Sequence, residues 1–376
     1  MEVIPMNNLN AISLFSGAGG MDIGIRQAGF NILAELEIDK YCCETLRAAI
    51  KRERTNTVVF ETDIRKVDPA QLGADLGVEP LPLDLLFGGP PCQPFSLAGK
   101  QNGLNDTRGP LLFEIVRFAE YFKPKVILLE QVKGILSAKD EDGKKGGVFE
   151  QFIAALESID YIPKWQVCCA ADYGVPQMRE RVFVVATRGK NGFEFPARTH
   201  VPPEETPNLF GLPPYFTVGD VINGLGQPDA KIPGTTIYNR ADGHVDVTPP
   251  RDRERIAQVP EGSYLAAQKH LSVDLRCNLQ KKDTTKYLRL DRKKPSNTLR
   301  CGEIFYHPTE DRYLTPREYM RIHGYGDDYM LCGPIRSRTG TVKNLDQHRQ
   351  VANSVPPPLA YAMGNEIRRY LSEQNI

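Results

Sequence analysis

Between Ala11 and Ala186 the chain alternates short apolar runs with stretches of helical periodicity, and this alternation constrains the fold more than any other feature. The run Ala11–Phe15 stops at the glycine-rich segment Ser16-Gly17-Ala18-Gly19-Gly20, and a helical pattern follows to about Ala28. A strand is expected near Ile32–Ile38, then Asp39 as N-cap of a helix over Lys40–Arg52. Val58–Phe60 and Leu83–Phe87 read as strands, Leu111–Phe122 as a helix ending before Pro124, and Val126–Leu129 as a buried strand. Gly147–Ile159, Trp165–Cys169 and Arg181–Ala186 continue the series. Repeated strand–helix units imply an α/β fold: a parallel sheet wound with helices on both faces. After about Arg188 the texture changes to Pro, Gly and polar residues with few periodic runs, which places a second, irregular domain there. The amphipathic stretch from about Pro358 to Ser372 is expected to return to the first domain.

The 47 basic and 47 acidic residues cancel, which by itself argues against a nonspecific nucleic-acid coat. The average hides an asymmetry. From Lys231 to Arg300 there are 15 Lys and Arg against 8 Asp and Glu, either a solvated charged face or a surface for an anionic partner. The eight cysteines include no CxxC pair, and no histidine pair has zinc-ligand spacing, so no metal is expected. The N-terminus lacks the basic start and apolar core of a leader, and no apolar run is long enough for a membrane span. A reducing cytoplasm, or a nucleoid-associated location, is expected.

Four segments carry side chains suited to chemistry. The glycine loop follows a strand and precedes a helix, where backbone N–H groups can approach a ligand at the positive helix end. Asp22 replaces the third glycine of a dinucleotide fingerprint, and Glu37 ends the next strand, where a ribose hydroxyl pair would be held. A nucleoside cofactor suits that pair; a structural glycine turn is the alternative. Next, Leu83–Phe87 runs into Gly88-Gly89-Pro90-Pro91-Cys92-Gln93-Pro94-Phe95-Ser96. A cysteine in a proline-stiffened loop at a strand's carboxyl end faces a ligand more readily than the core, the usual place of a free thiol. Glu130 ends another strand on the same sheet edge, where burial would favour its protonated, donating form; a surface acid is the alternative. Lastly, Gln177-Met178-Arg179-Glu180-Arg181 opens a strand with two arginines on one face, suited to phosphate or another anion unless they are simply solvated.

Together these segments resemble the DNA (cytosine-5) methyltransferase family of bacterial restriction-modification systems, and they occur in that family's order. FSGAGG, PPCQPFS, DTRG (Asp106–Gly109), QMRER, KPSNTL (Lys294–Leu299) and QVANSVPP (Gln350–Pro357) all match. The similarity covers most of the chain except about 190–285. Two positions depart from the pattern: Gln131 stands where Asn is usual after the glutamate, and Ala352 where Gly is usual before Asn353.

The resemblance implies a Rossmann-like doubly wound sheet of the S-adenosylmethionine-dependent methyltransferases, formed by 1–188 plus 345–376, and a smaller target-recognition domain over 189–344. It implies transfer of a methyl group from S-adenosylmethionine, leaving S-adenosylhomocysteine, to carbon 5 of a cytosine flipped out of double-stranded DNA. Cys92 would attack carbon 6, Glu130 would assist at ring N3, and Arg179 and Arg181 would hold the base carbonyl and adjacent backbone. Phe15 and Ile38 would sandwich the cofactor's adenine, Glu37 would take the ribose hydroxyls and Asp63 the adenine amine. Ser16, Gly17, Gly19, Gly20, Ile64, Gly89, Pro91, Leu111, Asn353 and Ser354 complete the implied cofactor site. Gln93, Ser96, Lys281 and Lys282 would touch DNA. The implied form is a metal-free monomer, paired with a separate cognate endonuclease. The branch of the family that methylates transfer RNA, and a noncatalytic DNA-binding relative, are the rival readings.

Overall fold

The computed structural model describes residues 9–78, 83–91, 109–189, 192–232, 243–272, 275, 286–336 and 344–374. Apolar strands and amphipathic helices alternate as the periodicity predicts. β1 (Leu9–Leu14), β2 (Phe30–Glu37), β3 (Val58–Glu61), β4 (Leu85–Gly88), β5 (Val126–Val132), β6 (Tyr161–Cys169) and β8 (Glu180–Arg188) form a seven-stranded sheet ordered β3-β2-β1-β4-β5-β8-β6. The short β7 (Gln177–Met178) lies outside it. Helices α1 (Gly20–Gln27), α2 (Lys40–Glu53), α3 (Pro69–Leu76), α4 (Glu114–Phe122) and α5 (Gly147–Glu157) fill the connections. Asp39 caps α2 as expected, accepting from the backbone N–H groups of Tyr41 and Cys42. The expected helix over Leu111–Phe122 opens as a 3-10 turn and becomes α-helical only at Glu114.

The sheet is mixed rather than wholly parallel. β1 through β5 pair in parallel, but β8 runs antiparallel to both β5 and β6. A parallel neighbour needs a long crossover. The ten residues between β6 and β8 hold no such helix, so β8 returns antiparallel beside the strand it follows. Val126, Ile127, Leu128 and Leu129 are all buried, as for a strand covered on both faces. The core on one face gathers Ile12, Leu14, Leu86, Ile127, Leu129, Val182 and Val184 with Phe118 and Phe152 from α4 and α5.

Two compact units emerge: Met1–Cys169, Glu180–Ala197 and Leu359–Ile376 form the first, Ala170–Arg179 and Arg198–Pro358 the second. The last helix, α10 (Pro357–Glu373), lays Gly364 against α1, where an added Cβ would stand 2.9 Å from the Ala28 methyl. The second unit holds α6 (Val218–Ile222), α7 (Pro250–Ala257), α8 (Pro316–Ile322) and α9 (Gln347–Asn353). Its strands, β7, β9 (Asp229–Ala230), β10 (Val245–Asp246) and β11 (Ser296–Asn297), are two residues each.

Candidate active site

β1 ends at Leu14, and the chain turns through three left-handed residues, Phe15, Gly17 and Gly19, before α1 begins. Gly17 (φ 56°) has open space around the position of a Cβ, so its backbone is approachable and its φ explains the glycine. Glu37, at the end of β2, anchors this turn. Its Oε2 accepts from the Gly17 N–H at 2.8 Å, and its Oε1 accepts from the N–H groups of Ile38 (2.8 Å) and Asp39 (2.7 Å). Burial pushes the Glu37 carboxyl above the usual range, and those three backbone donors oppose the shift. Ser16 donates to Ser13 Oγ at 2.8 Å. The turn is thus preorganised by the chain's own groups, with Ile38 64% exposed beside it. Asp63 caps a 3-10 turn, and its bond to the Arg65 side chain holds its carboxyl below the usual range. Ile64 is core, so only its backbone can face a ligand; Leu111 packs on the same core. An open glycine turn, an anchored acid and an exposed apolar side chain at adjacent strand ends fit a nucleoside cofactor.

Beneath the turn lies a cluster that the sequence reading did not find. Asp22 is fully buried; burial raises its carboxyl, and Arg26 one helical turn on opposes this. The Arg26 guanidinium pairs with buried Glu35 and also approaches Glu53 at 3.6 Å. Burial, then the neighbouring Asp22, pushes Glu35 up to about 8 against the pull of Arg26. Alternation gave no signal of it: Glu35 falls on the face of Asn31 and Glu37, opposite Phe30, Ile32, Ala34 and Leu36, and only tertiary packing buries it.

The β4 end is where the cysteine loop departs. Gly88 is obligatory there: a Cβ would stand 2.5 Å from the Leu14 carbonyl oxygen of the adjoining strand. At Gly89 a Cβ would be 3.3 Å from Glu130 Oε2, so the glutamate adjoins the loop's first residues. Gln131 Nε2 donates to the Pro90 carbonyl at 3.2 Å, while its Oε1 accepts from the Val132 N–H at 2.8 Å. The longer amide therefore ties the loop base to β5. Pro91 is half-buried. Cys92, Gln93 and Ser96 lie outside the described residues, as do Lys281 and Lys282.

Glu130 is 8% exposed on β5, and Arg181 sits on antiparallel β8 as its diagonal neighbour. Arg181 Nε stands 2.8 Å from Glu130 Oε1. Arg179 does not share that strand face. Its guanidinium is 1% exposed within the second unit, where it donates to the carbonyl oxygens of Ala352 (3.0 Å) and Ser354 (2.9 Å). Ala352 lies in α9 without positive φ, so its methyl is accommodated. Ser354 Oγ donates to the Val351 carbonyl, and exposed Asn353 accepts from the Cys301 thiol. Among the basic residues between Arg276 and Arg300, Arg289 is buried and donates to the carbonyls of Pro308, Ile256 and Val259; it is framework, not phosphate contact. Lys293 and Lys294 are exposed.

The model of the C-5 cytosine-specific DNA methylase family matches residues 9–369. The type II methyltransferase M.PspPI of Psychrobacter sp. is 35% identical over 396 residues, spanning 99% of this chain and 82% of that one. M.AquIA of Picosynechococcus sp. is 41% identical over 62% of this chain and 97% of its own. Among solved structures, a prophage-encoded protein of Escherichia coli, described as a DNA modification methyltransferase, superposes with a TM-score of 0.71 at 22% identity, covering 97% of this chain and 100% of that one. That likeness concerns the fold.

Proposed function

The chain belongs to the C-5 cytosine-specific DNA methylase family and is an enzyme that methylates cytosine in DNA; from that premise we propose that it acts through a covalent Cys92 adduct to a base turned out of the duplex. Cytosine carbon 5 is a poor nucleophile, and the target is unreachable within the stack. Attack of the Cys92 thiolate on carbon 6 breaks the aromaticity and makes carbon 5 enamine-like. The observation that carries this reading is the Glu130–Arg181 pair beside Gly89, at the root of the cysteine loop. Glu130 donates to ring N3 as negative charge develops, and Arg181 orients the carboxyl and reaches the base carbonyl. Gln131 holds the loop root so that the thiolate meets carbon 6. After methylation a proton leaves carbon 5, the bond between sulfur and carbon 6 breaks, and the thiolate is expelled.

S-adenosylmethionine, the donor the family implies, supplies an electrophilic methyl group on sulfur. Phe15 and Ile38 flank its adenine, Glu37 and Asp63 hold its ribose and amine, and the Ser16–Gly20 turn accommodates its methionine part. Gly89, Pro91, Ile64 and Leu111 complete its contacts. Segment 190–290 chooses the DNA word, with Gln93, Ser96, Lys281 and Lys282 on DNA. The type II relatives support a separate endonuclease reading the same word. Among the described residues, no helix is long and apolar enough to cross a membrane, and a monomer at the nucleoid suits the reaction.

The test is a duplex carrying 5-fluorocytosine at the methylated position. Fluorine cannot leave as a proton does, so a denaturation-resistant protein–DNA adduct should accumulate with wild-type protein and not with Cys92→Ser. An adduct that persists in Cys92→Ser assigns the nucleophile elsewhere.

A further inference from the structure

One aromatic residue of the second unit is held in a backbone conformation that its side chain disfavours. Tyr287 has φ 59°, in the left-handed region, where a Cβ crowds the following carbonyl and glycine is the usual occupant. Three contacts fix it there. Its N–H donates to Glu303 Oε1 at 3.3 Å, its carbonyl accepts from the Leu265 N–H at 3.3 Å, and its ring stacks on that of fully buried Tyr306, with centroids 6.1 Å apart. Glu303 is itself anchored, because its carbonyl accepts from the buried Tyr319 hydroxyl of α8 at 3.3 Å. A bulky residue kept in a strained conformation by this many partners points to a function at that residue rather than to packing alone. Tyr287 is only half-buried, so part of its ring meets solvent.

The surroundings indicate what it meets. Glu303 Oε1 also lies 3.8 Å from Nη1 of Arg300, whose side chain is 41% exposed. One buried carboxylate therefore holds the Tyr287 backbone and borders an exposed cation. From Lys286 to Arg300 there are six basic residues against one acidic, and Arg292, Lys293 and Lys294 among them are exposed. Gly302, two residues beyond Arg300, has open space at the position of a Cβ, so a ligand has access. A polyanion that carries flat bases satisfies both groups, since phosphate contacts position a protein while contacts to bases specify the site. We propose that Tyr287 is a specificity-determining residue that contacts a base of the target DNA, with Arg300 on an adjacent phosphate and Glu303 positioning both. This rests on the reading that segment 190–290 chooses the DNA word.

Tyr287→Gly separates base contact from packing, because glycine relieves the strain while it removes the ring. Fluorescence anisotropy, without methyl donor, compares wild type, Tyr287→Gly and Arg300→Gln on duplexes with and without the target word. In Tyr287→Gly, affinity for the target duplex should fall about 10-fold or more while affinity for the other duplex holds. Its urea midpoint should move little, since relief of the left-handed strain offsets the lost stacking. In Arg300→Gln both duplexes should bind more weakly, and the log–log salt slope should flatten by about 0.9. Unchanged target affinity in Tyr287→Gly, or equal loss on both duplexes, overturns the base contact. A midpoint that falls together with both affinities makes the ring a packing element and overturns it as well. An unchanged salt slope in Arg300→Gln overturns the phosphate contact. Exchanging block 190–290 for that of a relative with another target tests the underlying reading. If the target does not move with the block, that reading fails and the Tyr287 assignment fails with it. If the target moves while Tyr287→Gly binds as wild type does, only the Tyr287 assignment fails.

Discussion

In the first unit, Val126, Ile127, Leu128 and Leu129 are buried while their backbone is paired on both sides by β4 and β8. In the second, the comparably buried Arg289, Arg317, Gln347 and Gln350 all donate side-chain N–H groups to backbone carbonyls. The contrast follows from element length. Strands of four to nine residues satisfy their own carbonyls in ladders, whereas two-residue strands and helices of five to eight residues leave many of theirs in loops. Buried carbonyls need donors, and long side chains provide them. So a buried polar side chain carries different information in the two units. In the first, Glu37, Glu130 and Gln131 serve the turn, the carboxyl site and the loop root; in the second, most such groups are framework.

Glu130→Gln tests that contrast where the effect is largest. Turnover should fall by about 10²–10⁴-fold, the range for a lost general acid, while urea unfolding barely moves because the amide keeps a hydrogen bond to Arg181. A rate within a few-fold of wild type would move the N3 role to another group. Arg317→Met probes the opposite side. It strips donors from the buried carbonyl of Tyr329 and from that of exposed Gly326, and the one unsatisfied buried acceptor should cost about 1–3 kcal/mol in urea unfolding. An unaffected midpoint would remove the argument that side-chain donors hold this unit together.

Glu35 sharpens the comparison with a smaller effect, as the first unit's buried polar cluster that serves neither ladder nor loop. Its folded-state carboxyl is pushed from 4.5 up to about 8, so the folded chain holds a proton that the unfolded chain releases. The associated stability is complete below the ordinary carboxyl range and is lost as pH rises through about 8; Asp22, shifted the same way, adds to the trend. The urea midpoint should therefore decline from about pH 5 to about pH 8, and Glu35→Gln should flatten that decline. An identical slope in the variant would place the titration elsewhere.

Much of the first unit was legible because its signals are local. The continuous apolar run Val126–Leu129, the cap at Asp39 and the glycines before α1 each act within a few residues, so sequence pattern and turn chemistry expose them. The site was legible to the level of which strand ends carry which groups. The two arginines of QMRER looked equivalent on one strand; β8 begins only at Glu180, which gives Arg181 to Glu130 and Arg179 to the α9 carbonyls. The second unit's charges read as one basic surface, yet Arg289 is buried in it while Lys293 and Lys294 are exposed.

The sequence by itself determined the alternating α/β architecture, the position of the glycine turn and the family to which the chain belongs, since these depend on residue type at short spacing. Tertiary structure alone decided that β8 runs antiparallel between β5 and β6, that Gln131 reaches Pro90, and that His323 stands between Gln177 and Ser354. The β5–β8 ladder and these hydrogen bonds pair groups from 31 to 146 positions apart. At such separations the partner of a hydrogen bond is set by how the backbone packs, which no local periodicity encodes.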